Sequence, residues 1–506
     1  MDFLSHLNMA FGIFLEPSNL LVCFLGVLFG TLVGVLPGLG PTAAISLLLP
    51  ITFTLTPVQS IIMLAGIYYG AQYGGSTTSI LVNIPGEASS VVTCLDGYQM
   101  ARKGRAGPAL GISAFGSFIG GTFTVIMLML LAPPLAGIAL KFGPPESTSI
   151  MFFGLTMVTY LSSGSMIKAL MMAAFGLLLG CVGTDLIIGV QRYTLGAIAL
   201  EDGVGLVPVV MGLFGISEVL FNIEESFQKK DIFKTKIKGL LPTKQDWQDS
   251  AGPIARGSVV GFFLGLLPGG GALIASLISY AMEKKVSKHP EKFGTGDIRG
   301  VAGPETANNA GAGGAFIPLL SLGIPCNVVM AILMGAFMIH RITPGPLLMK
   351  EHPDLFWGIV GSMYIGNIML LVLNLPLIGI WVKILKIPYA ILFPLIFLFC
   401  LIGSYSLNNS LFDVLIMICF GILGYLMRKF HYEAAPLVMA FVLGPMLEEN
   451  FRQSLLISKG SLMIFFLRPI SAAFITVSLC LLVSPLILKL FRKQRPGLLI
   501  AGKDDL

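Results

Sequence analysis

The chain has 506 residues, of which 55% are hydrophobic and only 11% charged, with a formal net charge of +6. A soluble protein of this size carries about a quarter charged residues, so the composition excludes a soluble globular enzyme and describes a protein whose surface mostly meets lipid. The basic excess is not a nucleic-acid footprint, because Lys and Arg fall in short clusters between apolar runs, as topology determinants do.

Apolar runs fall at 19–36, 42–56, 58–82, 108–139, 149–161, 166–183, 205–221, 254–281, 312–339, 355–383, 386–402, 411–427, 434–447 and 461–490. A crossing needs roughly 20 apolar residues. The pattern predicts an all-α polytopic membrane protein of about 11–12 transmembrane helices, with further broken or re-entrant segments, because polar backbone cannot face lipid unpaired. One long polar stretch, rich in lysine, divides the chain. The expected organisation is a first membrane half at 1–221, a basic cytoplasmic linker at 222–253, a second membrane half at 254–490 and a polar tail at 491–506.

Within the first half, residues 26–44 read GVLFGTLVGVLPGLGPTAA; within the second, 257–275 read GSVVGFFLGLLPGGGALIA. At an offset of about 231 positions the identical pairs are Gly26/Gly257, Gly30/Gly261, Gly34/Gly265, Leu36/Leu267, Pro37/Pro268, Gly38/Gly269, Gly40/Gly271 and Ala44/Ala275. Such matches are a duplication signal rather than chance pairing of apolar residues. Glycines four apart line one helix face and admit a neighbouring backbone. The Leu-Pro-Gly that follows ends the helix, since Pro lacks a donor and Gly resists helical order.

A second motif pair lies further along each half. Residues 74–90 read GGSTTSILVNIPGEASS, and 303–327 read GPETANNAGAGGAFIPLLSLGIPCN, aligning Gly74 with Gly314 and Ile84-Pro85 with Ile324-Pro325. Basic residues follow the second motif in the first half (Arg102, Lys103, Arg105) but flank the first motif in the second half (Arg256, Lys284, Lys285). This exchange predicts that the halves are inverted repeats.

Corresponding broken helices in two halves point to a transporter's binding site. Half-helix N-termini suit an anion, and unwound carbonyls with small polar side chains suit a cation. The substrate-binding candidates are Pro37, Gly38, Gly40, Ser76, Thr77, Thr78, Pro85 and Gly86 in the first half, and Pro268, Gly269, Gly271 and Pro325 in the second. The coupling-ion candidates are Ser79, Asn83, Glu87, Glu305, Thr306, Asn308 and Asn309, for sodium or a proton. Asn327 is a lesser candidate, and Asp96 follows the first motif. No HExxH, P-loop or GxSxG motif is present, so neither an enzyme nor a nucleotide-driven pump is expected, and no cofactor is. Seven scattered cysteines form no CxxC pair. The N-terminus has no basic region ahead of its first apolar run, which argues against a cleavable signal peptide. A secondary transporter is the first reading of these residues, and an anion channel with a broken-helix filter is the alternative.

Taken together, GVLPGLGPTAA, TSILVNIPGEASSVVTCLDGYQMARKGRAGPAL, GLLPGGGALIASLISYAMEKK, FGTGDIRGVAGPETANNAGAGGAFIPLLSLGIP and ITPGPLL resemble the large membrane subunit of the bacterial tripartite tricarboxylate transporters, over about residues 17 to 490. The resemblance implies a secondary transporter in the bacterial inner membrane, fed by a periplasmic solute-binding protein and accompanied by a small membrane subunit. It implies uptake of a di- or tricarboxylate by symport with sodium or protons, through an elevator-like movement. Cys326-Asn327 stands where such proteins often carry Gly-Ser, which allows for a different substrate or ion.

Overall fold

The computed structural model describes residues 3–36, 39–162, 165–185, 187–225, 239–385 and 389–493. Pro37 and Gly38, residues 226–238 of the expected linker and residues 494–506 lie outside them. The first half comprises α1 (Phe3–Phe14), α2 (Pro17–Val35), α3 (Pro41–Leu48), α4 (Pro57–Val82), α5 (Val91–Arg102), α6 (Ala106–Ala139), α7 (Pro144–Tyr160), α8 (Met166–Gly180), α9 (Leu206–Val210) and α10 (Ser217–Glu225). A π-helical stretch, Met211–Ile216, joins α9 to α10. The second half comprises α11 (Lys244–Gly265), α12 (Gly271–Val286), α13 (Arg299–Gly314), α14 (Phe316–Leu322), α15 (Val328–Ile339), α16 (Leu348–Glu351), α17 (Pro353–Asn374), α18 (Ile378–Ile384), α19 (Tyr389–Asn408), α20 (Leu411–Lys429), α21 (Ala434–Ile457), α22 (Ile464–Leu467) and α23 (Pro469–Lys493). Among the described residues the sole sheet is a two-stranded antiparallel hairpin, Gly183–Thr184 with Gln191–Arg192.

The chain is thus an all-α polytopic membrane protein. Among the described residues five helices are long and apolar enough to cross a membrane: Pro17–Val35, Ala106–Ala139, Leu206–Glu224, Pro353–Asn374 and Leu411–Lys429. Shorter apolar helices occupy Pro41–Thr54, Met166–Gly180, Val328–Ile339, Leu392–Asn408 and Pro469–Ser484. Local chemistry sets many of their ends. Proline stands in the first turn of α2, α3, α4, α7 and α17, where its missing N–H is no loss. Thr56 and Thr243 close capping boxes with Gln59 and Asp246. α11 already begins at Lys244, so helix occupies the end of the stretch expected as linker.

The breaks fall where the Pro-Gly motifs stand. α2 ends at Val35 and α11 ends at Gly265, within one residue of the same point in the duplicated motif. In the second half the turn is held by left-handed Gly269 (φ +76°) and Gly271 (φ +50°), a region costly for residues with a Cβ. Gly40 caps α3 in extended conformation.

The glycine stripes do the same work in both halves. A Cβ on Gly26, Gly30 or Gly34 of α2 would fall within 3.0 Å of the carbonyl oxygen of Met63, Ile67 or Ala71 in α4. A Cβ on Gly257, Gly261 or Gly265 of α11 would likewise strike the carbonyl of Gly303, Ala307 or Gly311 in α13. The second motif returns the contact, since Gly74 rests on the Thr31 carbonyl and Gly314 on that of Phe262. Each half therefore contains a close-packed pair, α2 on α4 and α11 on α13, with backbones in van der Waals contact.

These pairs form the centre of the molecule. Residues 60–81 of α4 and 300–314 of α13 are buried without interruption. α13 also lies against α5, α6 and α12. A helix buried on all sides normally shows apolar residues all round. α4 and α13 instead carry Gln72, Ser76, Ser79, Glu305, Asn308 and Asn309 within that buried length.

Candidate functional site: a buried polar cluster between the halves

Buried polar groups must find partners, and here the partners come from the other half of the chain. α4 ends at Asn83, which adopts the left-handed conformation (φ 59°) and caps it. Ile84-Pro85 cannot continue the helix, and Glu87 opens the next turn as an N-cap, accepting from the Ser89 amide at 2.8 Å. In the second half α14 ends on left-handed Gly323, Ile324-Pro325 follows, and Asn327 N-caps α15 by accepting from the Met330 amide at 2.9 Å. Asn83 and Gly323, Pro85 and Pro325, and Glu87 and Asn327 are each separated by 240 positions. The two breaks are built alike, residue by residue.

Glu87 is buried among hydrogen-bond donors. Its carboxylate accepts from the Ser89 amide and hydroxyl and from Asn308 Nδ2 of α13 at 3.2 Å. The Gln72 amide, turned to satisfy its neighbours, adds a donor 3.1 Å from Oε1 and 2.8 Å from Asn308 Oδ1. The Ser89 hydroxyl lies 2.7 Å from Asn308 Oδ1.

Glu305, one helical turn before Asn308 and Asn309, faces hydroxyls. Ser76 of α4 donates to Oε2 and Thr93 of α5 donates to Oε1. Asn309 donates to Ser117 of α6 at 2.7 Å and to the Glu305 carbonyl at 3.2 Å. Among the described residues no Lys or Arg pairs with either carboxylate. A buried carboxylate far from a counter-charge is costly, and this cluster holds two. Carboxylate, amide and hydroxyl oxygens are the ligand type that hard cations take, and a proton is equally compatible with them. No group of three or more His, Cys, Asp or Glu gathers as a metal site among the described residues, this cluster included.

Ser79 bonds Ser90 at 2.9 Å and the Gly75 carbonyl at 3.0 Å, at the edge of the cluster. Thr306 is buried, but its hydroxyl is committed to the Ala302 carbonyl at 2.7 Å while Gly116 and Gly120 of α6 pack on it. Asn83 is exposed at its cap, outside the cluster. Thr77 is buried within α4. Thr78 donates to the Val35 carbonyl at 2.6 Å, holding the open end of α2. Gly86 packs on the Gly34 carbonyl. Across the second half the Gly269 amide donates to the Cys326 carbonyl at 2.8 Å, and Cys326 Sγ approaches the Leu266 carbonyl at 3.3 Å, so the Pro268 turn and the Pro325 break are clasped together. Pro37 and Gly38 fall outside the described residues.

Sequence reading did not single out Gln72, Ser89, Thr93 and Ser117. Gln72 had a local signal, as the lone amide in an otherwise apolar and small-residue stretch of α4. The other three are ordinary hydroxyl residues whose role depends on what faces them. Asp96 lies outside the cluster. Its carboxylate accepts from the backbone amides of Gly294, Gly296 and Asp297 at 2.7–3.0 Å and from Tyr280 Oη at 2.9 Å. It ties α5 to the loop before α13.

The sequence profile of the tripartite tricarboxylate transporter TctA family matches residues 20–439. An uncharacterized 52.8 kDa protein in the TAR-I ttuC' 3' region of Agrobacterium vitis is 52% identical over 487 residues, covering 96% of this chain and 97% of the relative. An uncharacterized protein in the TAR-II ttuC' 3' region of the same organism is 53% identical over 227 residues, 45% of this chain and 94% of the relative. No solved structure matches the chain significantly.

Proposed function

Because this chain belongs to the tripartite tricarboxylate transporter TctA family, we propose that it is the translocating subunit of an ion-coupled importer of di- or tricarboxylates in a bacterial inner membrane. A periplasmic solute-binding protein would deliver the solute, and a small membrane subunit would complete the assembly. The coupling ion, sodium or a proton, would act at the Glu87–Asn308 and Glu305 cluster. The solute would rest against the two helix breaks, with an elevator-like displacement of the α2/α4 and α11/α13 pairs exposing them alternately.

One observation carries this reading. Two buried carboxylates, with no Lys or Arg partner among the described residues, sit where α4, α5 and the first break of one half meet α13 of the other. Intramembrane acids of this kind mark ion pathways, and paired broken helices mark transporter sites. The swapped distribution of basic residues around the repeated motifs supports an inverted arrangement of the halves. A packed core with the cross-half bonds already made suits a carrier better than a continuous pore.

The test is uptake of labelled mono-, di- and tricarboxylates into cells expressing the whole system, with and without the binding protein and with sodium and proton gradients imposed separately. Saturable uptake that needs the binding protein and one gradient is expected. Non-saturating flux that ignores both would show a channel instead.

A further inference from the structure

The two breaks touch across the halves in a reciprocal way. Asn308 of α13 donates to Glu87 at the first break at 3.2 Å. Asn327 at the second break donates from Nδ2 to Tyr68 Oη of α4 at 3.3 Å. Tyr68 and Asn308 are 240 positions apart, as are Glu87 and Asn327. Each contact is therefore the repeat-mate of the other, with partners exchanged. The mates differ in chemistry. Glu87 presents a carboxylate, an acceptor only, already surrounded by donors. The Asn327–Tyr68 pair carries no charge and retains unused donors. A Tyr hydroxyl that accepts from Asn327 still has its own proton, and no acceptor for it is found among the described residues although Tyr68 is only 3% exposed. The Asn327 amide has a second N–H beyond the one given to Tyr68. Asn327 is half-buried, whereas Glu87 and Tyr68 are buried. Tyr68 is held in place by its ring contact with Phe316, at 6.2 Å between centroids.

We infer that Asn327 and Tyr68 form the charge-selecting end of the transport site, donating to a solute carboxylate, while their repeat-mates Glu87 and Asn308 serve the cation. The inference rests on the proposed function and deepens it. Duplication has produced two equivalent corners, and a single difference, Glu at one and Asn at the other, divides them between ligands of opposite charge. Placing a carboxylate at Asn327 would set like charge against the solute and penalise it more as solute charge rises.

The experiment compares Asn327→Asp with Asn327→Ser in the complete transporter, measuring initial uptake of mono-, di- and tricarboxylates. Both replacements are good helix N-caps, so α15 keeps its first turn. For N327D the half-saturating concentration should rise by at least about tenfold for the tricarboxylate and progressively less for the di- and monocarboxylate, with ion stimulation retained. N327S should raise it to a similar degree for all three solutes. Tyr68→Phe, which keeps the ring and removes only the hydroxyl, should behave like N327S. Glu87→Gln should alter ion stimulation without changing the order of preference by solute charge. A rise in N327D that is independent of solute charge, or a loss of ion stimulation there, would overturn the inference. Wild-type protein that takes up no carboxylate would instead remove the function on which it rests.

Discussion

Ser76 and Glu305 stand on helices from opposite halves of the chain, and the hydroxyl of the first donates to the carboxylate of the second inside a fully buried interface. Thr93 closes on the other oxygen. Removing the carboxyl would leave these hydroxyls facing a void. Glu305→Ala should destabilise the protein by about 1–3 kcal/mol through unsatisfied polar groups alone, seen as a lower melting temperature in detergent. Glu305→Gln retains shape and partners, so it should melt close to wild type while changing the ion dependence of uptake. Equal melting of the two variants would count against a structural role for these bonds.

The glycine stripes predict a sharp positional contrast. Gly30→Ala and Gly261→Ala each put a methyl against the backbone of the neighbouring helix, and backbone cannot move aside as a side chain can. Each should cost about 1–3 kcal/mol or more from overpacking and reduce the folded yield in the membrane. Gly137→Ala in α6 meets nothing within 4 Å and should be neutral. Comparable yields for all three would show that the pairs are not so closely packed.

Asp96 should matter for stability rather than for ion coupling. Its carboxylate gathers three backbone amides and Tyr280. Asp96→Ala leaves these donors without an acceptor and should cost about 2–4 kcal/mol, since bonds to charged groups are among the stronger ones. Faster hydrogen exchange confined to residues 283–299 is the expected signature, with the ion requirement of residual uptake unchanged.

Proline at the breaks should be needed for movement and not for insertion. Pro85→Ala and Pro325→Ala allow helix to propagate across the Ile-Pro step. Both should reach the membrane in normal amounts and lose most uptake. Normal uptake would detach the breaks from function.

Sidedness is open to direct labelling. α8 and α21 run side by side; near one end Lys168 of α8 reaches the Phe430 carbonyl at the end of α20 at 2.7 Å, and near the other Arg192 of the hairpin after α8 reaches Glu448 of α21 at 2.7 Å. By the positive-inside rule the end bearing Lys168, Arg428 and Lys429 is cytoplasmic. In a background with the native cysteines replaced, a cysteine at Lys168 or Lys285 should be labelled only after permeabilisation, and one at Tyr193 in intact cells. The reverse pattern would invert the topology.

The amino-acid sequence by itself determined the membrane character, the duplication and the places where helices stop. These are local consequences of composition, of Pro and Gly at fixed spacing, and of capping residues such as Glu87 and Asn327. The tertiary structure alone decided what each polar residue faces. Nothing near Ser89, Thr93 or Ser117 in the chain distinguishes them from any helix hydroxyl, because their partners Asn308, Glu305 and Asn309 lie about two hundred residues away. Thr306 reads from its neighbours as a member of the same cluster, yet its rotamer turns the hydroxyl back onto its own helix. A hydrogen bond between distant segments is fixed by how the two halves are brought together, and that arrangement is a property of the packed whole.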